Sequence, residues 1–160
     1  MGMLAALAMV LSVLEGLIPP IPGTPPGSKL GFSNLATMYA AFSLGPSSAL
    51  AVAMVKGVFA GVTRGAVAMG MSLCGGLLST AVMCLLLKLG KPFGWVGIGI
   101  AGALCHNGGQ LLLAYLITGR AVVGYAPFLI LFALPTGALT GLTLGLIAPR
   151  LAKLEGRFFL

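Results

Sequence analysis

The chain has 160 residues, of which 59% are hydrophobic and 7% are charged; nine basic residues against two acidic ones give a net charge of +7. An ordinary soluble domain carries about 25% charged residues. So few charged side chains cannot cover the surface of a soluble fold, and the composition therefore indicates an integral membrane protein. Basic residues in such a protein mark the ends of spans, so we expect no nucleic-acid partner.

The apolar segments predict an all-α polytopic bundle that forms a single transmembrane domain over residues 1–160. A span takes roughly 20 residues, so the length allows about six spans. Prolines, glycines and basic residues separate the apolar segments and mark their ends. A stiff proline-rich loop is predicted at about 19–28, between the first two spans. The predicted spans are about 3–18, 29–44, 47–63, 65–89, 93–118 and 122–148.

The basic residues predict the orientation of the bundle. An even number of spans places both termini on one side of the membrane. The bases on that side are Lys88, Lys91, Arg150, Lys153 and Arg157, whereas Lys29, Arg64 and Arg120 lie opposite. The positive-inside rule then predicts that both termini are cytoplasmic.

Scarce acidic and metal-ligating residues limit the chemistry. The only carboxylate side chains are Glu15 and Glu155, and His106 is the only histidine. Prenyl-diphosphate and nucleotide chemistry use clustered carboxylates to hold Mg²⁺, and two isolated glutamates cannot form such a cluster. The three cysteines have no CxxC spacing. We therefore expect no enzyme activity, no metal and no cofactor.

Polar side chains inside the predicted spans form the candidate ligand-binding site, because each is costly in hydrocarbon. Lys56 lies well inside the third span, where a lysine costs roughly 2.5–3.5 kcal/mol on insertion scales. A dense polar turn occupies the fifth span. The predicted binding residues are Lys29, Asn34, His106, Asn107 and Gln110, followed by Glu15 and Lys56.

Structural roles remain open for several of these residues. Glu15 is either a functional group, which responds to protons or cations or contacts a substrate amine or hydroxyl, or a structural partner of Lys29 or of loop N–H groups. Lys29 is either an interfacial anchor or part of an anion site at a helix start. Lys56 could snorkel, pair with Glu15 or face a cavity. His106 could be a core histidine whose hydrogen bonds are made within the protein.

Small residues recur every fourth position in two spans, which places them on one helix face. Such a face either packs against a neighbouring helix of the chain or docks a partner subunit. The sequence does not separate the two. The residues are Ala49, Ala53, Gly57 and Gly61 in the third span, and Gly137 and Gly141 in the sixth.

Four segments together resemble the "Gx transporter" family, whose members are often labelled heptaprenyl diphosphate synthase component I. The segments are LEGLIPP (14–20), PGSKLGFSNL (26–35), GGLLS (75–79) and GALCHNGGQ (102–110). The family is similar to the substrate-binding S components of energy-coupling factor (ECF) vitamin transporters. The resemblance implies six membrane helices in the bacterial inner membrane, a small ligand bound near the outer face, and docking on a T subunit with two ATPases.

The expected function is a substrate-binding membrane subunit or small transporter for a vitamin-, flavin-, quinone- or isoprenoid-like molecule. The alternative is a non-catalytic membrane anchor or quinone-interacting subunit of a redox complex. The partners implied are a small-molecule ligand, membrane lipid, and either an ECF T subunit with its ATPases or a flavoprotein. The first span carries Ala8, Ser12 and Gly16 where S components use an Ala-xxx-Ala face against the T subunit.

Overall fold

The computed structural model describes residues 1–17, 32–90 and 93–154, with side chains up to residue 151. Over these residues the chain is helical and contains no strand, which confirms the all-α fold class. A short 3-10 helix, Arg120–Tyr125, precedes the last α-helix. The α-helices are α1 (Gly2–Leu17), α2 (Asn34–Ser43), α3 (Pro46–Arg64), α4 (Ala66–Leu89), α5 (Trp95–Thr118) and α6 (Ala126–Leu154).

Four segments of the described chain are long and apolar enough to cross a membrane, namely α3, α4, α5 and the stretch that joins the 3-10 helix to α6. Many large apolar side chains on these helices are exposed, as expected for surfaces in contact with lipid. α1 is apolar but has only 16 residues. The expected six spans therefore reduce to four full-length segments and two shorter helices.

The second helix is shorter than the predicted span at 29–44. α2 has 10 residues, so its length is roughly 15 Å, about half of the hydrocarbon thickness. Its first residue, Asn34, accepts a hydrogen bond from Lys56 of α3, and the preceding Ser33 donates one to Glu15 of α1. Lys29 and the predicted loop at 19–28 lie outside the described residues.

The last helix corrects the predicted span at 122–148. Val122 belongs to the 3-10 helix, and α6 passes through Pro149 and continues to Leu154. A proline removes one hydrogen bond and its ring meets the carbonyl four residues earlier. Membrane helices tolerate this because neighbouring groups satisfy the freed backbone.

Two helix reversals occur at single glycines on one end of the bundle. Gly65 alone joins α3 to α4, and Gly119 ends α5; their φ angles are +94° and +84°, in the left-handed region that favours glycine. The C-termini of α3 and α5 and the N-terminus of α4 therefore lie together. We call this the Arg64 end; Lys88 and Arg150 lie towards the opposite end.

α2 occupies the centre of the bundle and contributes to two apolar clusters. On one side Ala36, Ala40 and Ala41 pack with residues of α1 and α3. On the other side Met38 packs with residues of α4, α5 and α6. The small alanines let three helices approach closely, since each of these three side chains is less than a tenth exposed. α2 thereby holds its first residues against the interior of the bundle.

The small-residue faces pack inside the chain. Gly57 and Gly61 on α3 lie against the side chains of Leu73 and Met69 on α4. On α6, a Cβ at Gly137 would lie 2.5 Å from the Cα of Ile100 on α5. Ala49 and Ala53 are fully buried. These contacts favour the internal-packing interpretation of both faces.

The α5–α6 contact gives a stability prediction. A Cβ at Gly141 would lie 2.6 Å from the Cα of Val96 and would also meet the backbone of Trp95. We expect Gly141→Ala to lower the free energy of unfolding by about 1–3 kcal/mol, since the clash is with backbone that cannot rotate away. Denaturant titration of the purified protein in detergent measures this change.

Gly108→Ala is the matched control, because a Cβ at Gly108 meets nothing within 4 Å. Alanine is the better helix former, so this variant should be neutral or slightly more stable. Equal stabilities of the two variants would contradict the close contact of α5 with α6.

Candidate ligand-binding site

A chain of hydrogen bonds links three helices in the interior of the bundle. The Ser33 hydroxyl donates to Glu15 Oε2 at 3.0 Å. Lys56 Nζ donates to Asn34 Oδ1 at 3.0 Å and to Ser33 Oγ at 3.3 Å. All four residues are buried, and Lys56 is only 2% exposed. Ser33 therefore connects the carboxylate of α1 to the ammonium group of α3.

Lys56 shows how this apolar chain accommodates a charge at membrane depth. It is the eleventh of 19 residues in α3, roughly 12 Å from the Arg64 end of that helix. An ammonium group there needs hydrogen-bond acceptors or water. Ser33 and Asn34 supply acceptors, and the side chain also borders a cavity.

The polar cavity opens towards the Arg64 end of the bundle and has a volume of about 280 Å³. It lies among α1, the residues before α2, and helices α3, α4 and α5. Seven polar or charged side chains, including the exposed Arg64, and three apolar side chains line it. The lining residues are Ser12, Ser33, Lys56, Arg64, Val67, Ala68, Met71, Ser72, His106 and Gln110.

The lining residues lie at comparable depths, since successive helices run in opposite directions. Counting at 1.5 Å per residue, Lys56 and Gln110 lie roughly 12 Å from the Arg64 end and Ser72 roughly 9 Å. His106 is the deepest on α5, at roughly 18 Å. Arg64 lies at the mouth, where its side chain is exposed. The cavity therefore extends inwards from the mouth to about half the bundle thickness.

His106 and Gln110 face the cavity from α5, as their spacing of four residues predicts. Each is 4% exposed. Gly75 on α4 makes room for them, because a Cβ there would lie 2.7 Å from the His106 carbonyl oxygen and 3.0 Å from Gln110 Cγ. Among the described residues, Gln110 Oε1 has no hydrogen-bond partner. This oxygen is thus open to a hydrogen-bond donor of a ligand.

Asn107 has a different position from the one predicted. It lies on α5 next to His106, but its side-chain amide donates to the Leu129 carbonyl oxygen of α6 at 2.9 Å. Leu129 is four residues into α6, so this bond ties the start of that helix to α5. The bond gives Asn107 a structural role between helices.

The site also contains residues that the sequence prediction omitted. Ser12, Ser33, Arg64 and Ser72 line the cavity. Serines are frequent in membrane helices, so their type alone did not select them. A usable signal was available for Arg64, which follows Lys56 by eight residues and so falls near the same face of α3.

Metal binding has no support from the described part of the chain, where no three His, Cys, Asp or Glu side chains are grouped to hold an ion. The cysteines there are free thiols. The site therefore offers hydrogen bonds and positive charge, the means by which proteins recognise polar or anionic organic groups.

Comparison with known proteins identifies the family. The model of the family described as heptaprenyl diphosphate synthase component I matches residues 4–147. The chain belongs to this family. The matched region includes every residue that lines the polar cavity. Searches of curated proteins and of solved structures gave no match.

The hydrogen bond between Lys56 and Asn34 can be tested in this family member by a double-mutant cycle. Lys56→Met and Asn34→Leu should be non-additive, with a coupling of about 0.5–3 kcal/mol in the free energy of unfolding, because each removes the same buried bond. Unfolding in mixed detergent micelles provides the four free energies.

Lys88→Met combined with Asn34→Leu is the control cycle. Lys88 is exposed in the last turn of α4, towards the opposite end of the bundle. This pair should be additive to within about 0.5 kcal/mol. Additivity of the Lys56 pair as well would show that the buried bond makes no contribution.

Proposed function

We propose that this protein is a non-catalytic membrane subunit that binds a small molecule in the polar cavity, as a transport component related to ECF S components. The observation that carries the proposal is a polar cavity in an otherwise apolar bundle, lined by Lys56, His106 and Gln110. Polar groups at membrane depth are costly and typically mark a substrate or ion pathway.

The size of the cavity fits a small organic ligand. Pockets for drug-sized molecules measure about 300–1,000 Å³, and this cavity of about 280 Å³ lies just below that range. Its lining combines hydrogen-bonding groups with the apolar side chains of Val67, Ala68 and Met71. Such a mixture suits a molecule with both polar and apolar parts, as a vitamin has.

The small number of carboxylates favours a binding function over a synthase activity. The family description names a synthase component. Prenyl-diphosphate chemistry depends on Mg²⁺ held by several carboxylates. This sequence has two glutamates, at positions 15 and 155, and Glu15 already accepts a hydrogen bond from Ser33. We infer that any catalysis associated with the family name belongs to a partner.

The proposed location is the bacterial inner membrane, with both termini in the cytoplasm. In this orientation the Arg64 end faces outwards, and the cavity lies in the outer half of the membrane. A ligand would enter from outside and leave towards a T subunit with ATPases. Co-purification of that module supports transport, whereas co-purification of a flavoprotein supports the redox-anchor alternative.

Ligand binding is tested by native mass spectrometry of the chain purified in mild detergent. We expect a bound small molecule in the wild type. Gln110→Leu removes a cavity-facing amide, and the loss of one or two hydrogen bonds should reduce retention by roughly tenfold. His106→Ala should reduce it as well.

Thr143→Val is the control, since the Thr143 hydroxyl donates to the Leu139 carbonyl of its own helix. This variant should retain the molecule as the wild type does. Absence of any bound molecule, or equal retention in Gln110→Leu and Thr143→Val, would refute the assignment of this cavity.

A further inference from the structure

We propose that the ligand is an amphipathic monocarboxylate, with its carboxylate in the polar cavity and its apolar part in an adjoining groove. This inference rests on the proposed function and names the class of its ligand. The two carrying observations are the balance of charge around the polar cavity and the apolar groove that shares part of its lining.

The described residues of the site carry one excess positive charge. Lys56 and Arg64 border the cavity, and the only carboxylate in this hydrogen-bonded group is Glu15. A ligand with a single negative charge balances the net charge of these described residues. Charges interact more strongly where the surroundings exclude water, so a carboxylate that enters the cavity is stabilised by the two cations that border it.

The same balance selects among anions. A diphosphate carries up to three negative charges and would leave an excess of about two. A carboxylate matches the single positive charge and accepts from a planar guanidinium with two oxygens. Arg64 at the mouth has that fork geometry, whereas Lys56 deeper in the cavity acts as a point charge.

Hydrogen-bond donors complete the recognition of the carboxylate. Lys56 Nζ is directed at the oxygens of Ser33 and Asn34 and also borders the cavity. The Gln110 side chain, which is 4% exposed, provides an amide there, and its Oε1 has no partner among the described residues. A carboxylate needs the NH₂ group as a donor, and a rotation of the amide by about 180° places that group where Oε1 now lies.

The apolar groove would accommodate the apolar part of the ligand. Its volume is about 430 Å³, and it lies beside the polar cavity, sharing Val67 and Met71. It continues along α5 and the 3-10 helix past Ala114, Ile117 and Tyr125. A charged cavity next to an apolar groove, with Val67 and Met71 bordering both, fits one molecule that has an acidic head and an apolar body.

Three probes with the same apolar chain test the head group: octanoate, octanamide and octyl phosphate. A flexible eight-carbon chain adapts to the groove, so a difference among the probes reports on the head group. Binding of radiolabelled octanoate is measured on the full chain in zwitterionic nanodiscs, with the other two as competitors. We expect octanoate to bind roughly 10- to 100-fold more tightly than octanamide and more tightly than octyl phosphate.

Arg64→Gln is the decisive variant, because Arg64 is exposed at the end of α3 and its loss leaves the buried bonds of Lys56 intact. It should remove most of the preference for octanoate over octanamide. Ala121→Trp narrows the apolar groove and should weaken all three probes. Lys88→Met removes a cation that does not line the polar cavity, so it should leave the affinities of all three probes unchanged. Partitioning of the probes into the bilayer is the same for all variants and does not affect the comparison.

Equal binding of octanoate and octanamide, tighter binding of octyl phosphate, or an unchanged preference in Arg64→Gln would overturn the proposal. Chemical identification of the co-purified molecule is an independent test. An organic acid with one carboxylate supports the proposal, whereas a neutral molecule, a diphosphate or a phospholipid refutes it. The proposed function is judged separately, by the retention of the co-purified molecule in Gln110→Leu compared with Thr143→Val.

Discussion

A charged amine in the middle of an apolar bundle is the constraint on which the site depends. Lys56 needs acceptors at a depth where water is scarce, and Ser33 and Asn34 provide them. Ser33 precedes α2 and Asn34 is its first residue, and both are buried, so that helix begins in the interior. Glu15 is drawn into the same group through Ser33. One buried charge thus fixes the relative positions of α1, α2 and α3.

Close packing of the remaining helices supplies the other wall of the site. Gly75 lets α4 approach the His106 backbone, and Gly137 and Gly141 let α6 approach α5. Small residues are the means by which membrane helices pack without a hydrophobic driving force. The polar face of α5 is held against α4. The side chain of Asn107 ties α5 to α6. The polar cavity lies between α5 and the hydrogen-bonded residues around Lys56.

The sequence predicts the fold class well, because apolar runs of about 20 residues have few alternatives in a membrane. It predicts Lys56, His106 and Gln110 as cavity residues from polarity and spacing on long helices. It does not place Asn107, since the direction of one side chain depends on the neighbouring helix. The length of α2 and the passage of α6 through Pro149 are likewise not predicted, since local propensity does not include tertiary contacts.

The single-residue connection at Gly65 limits how the lining of the polar cavity can vary. Two helices that border the cavity, α3 and α4, are joined there by one residue in a conformation that favours glycine. Between these two helices there is no surface loop to be lengthened or exchanged. Differences in the lining of this wall therefore arise from substitutions on the helices themselves, one side chain at a time.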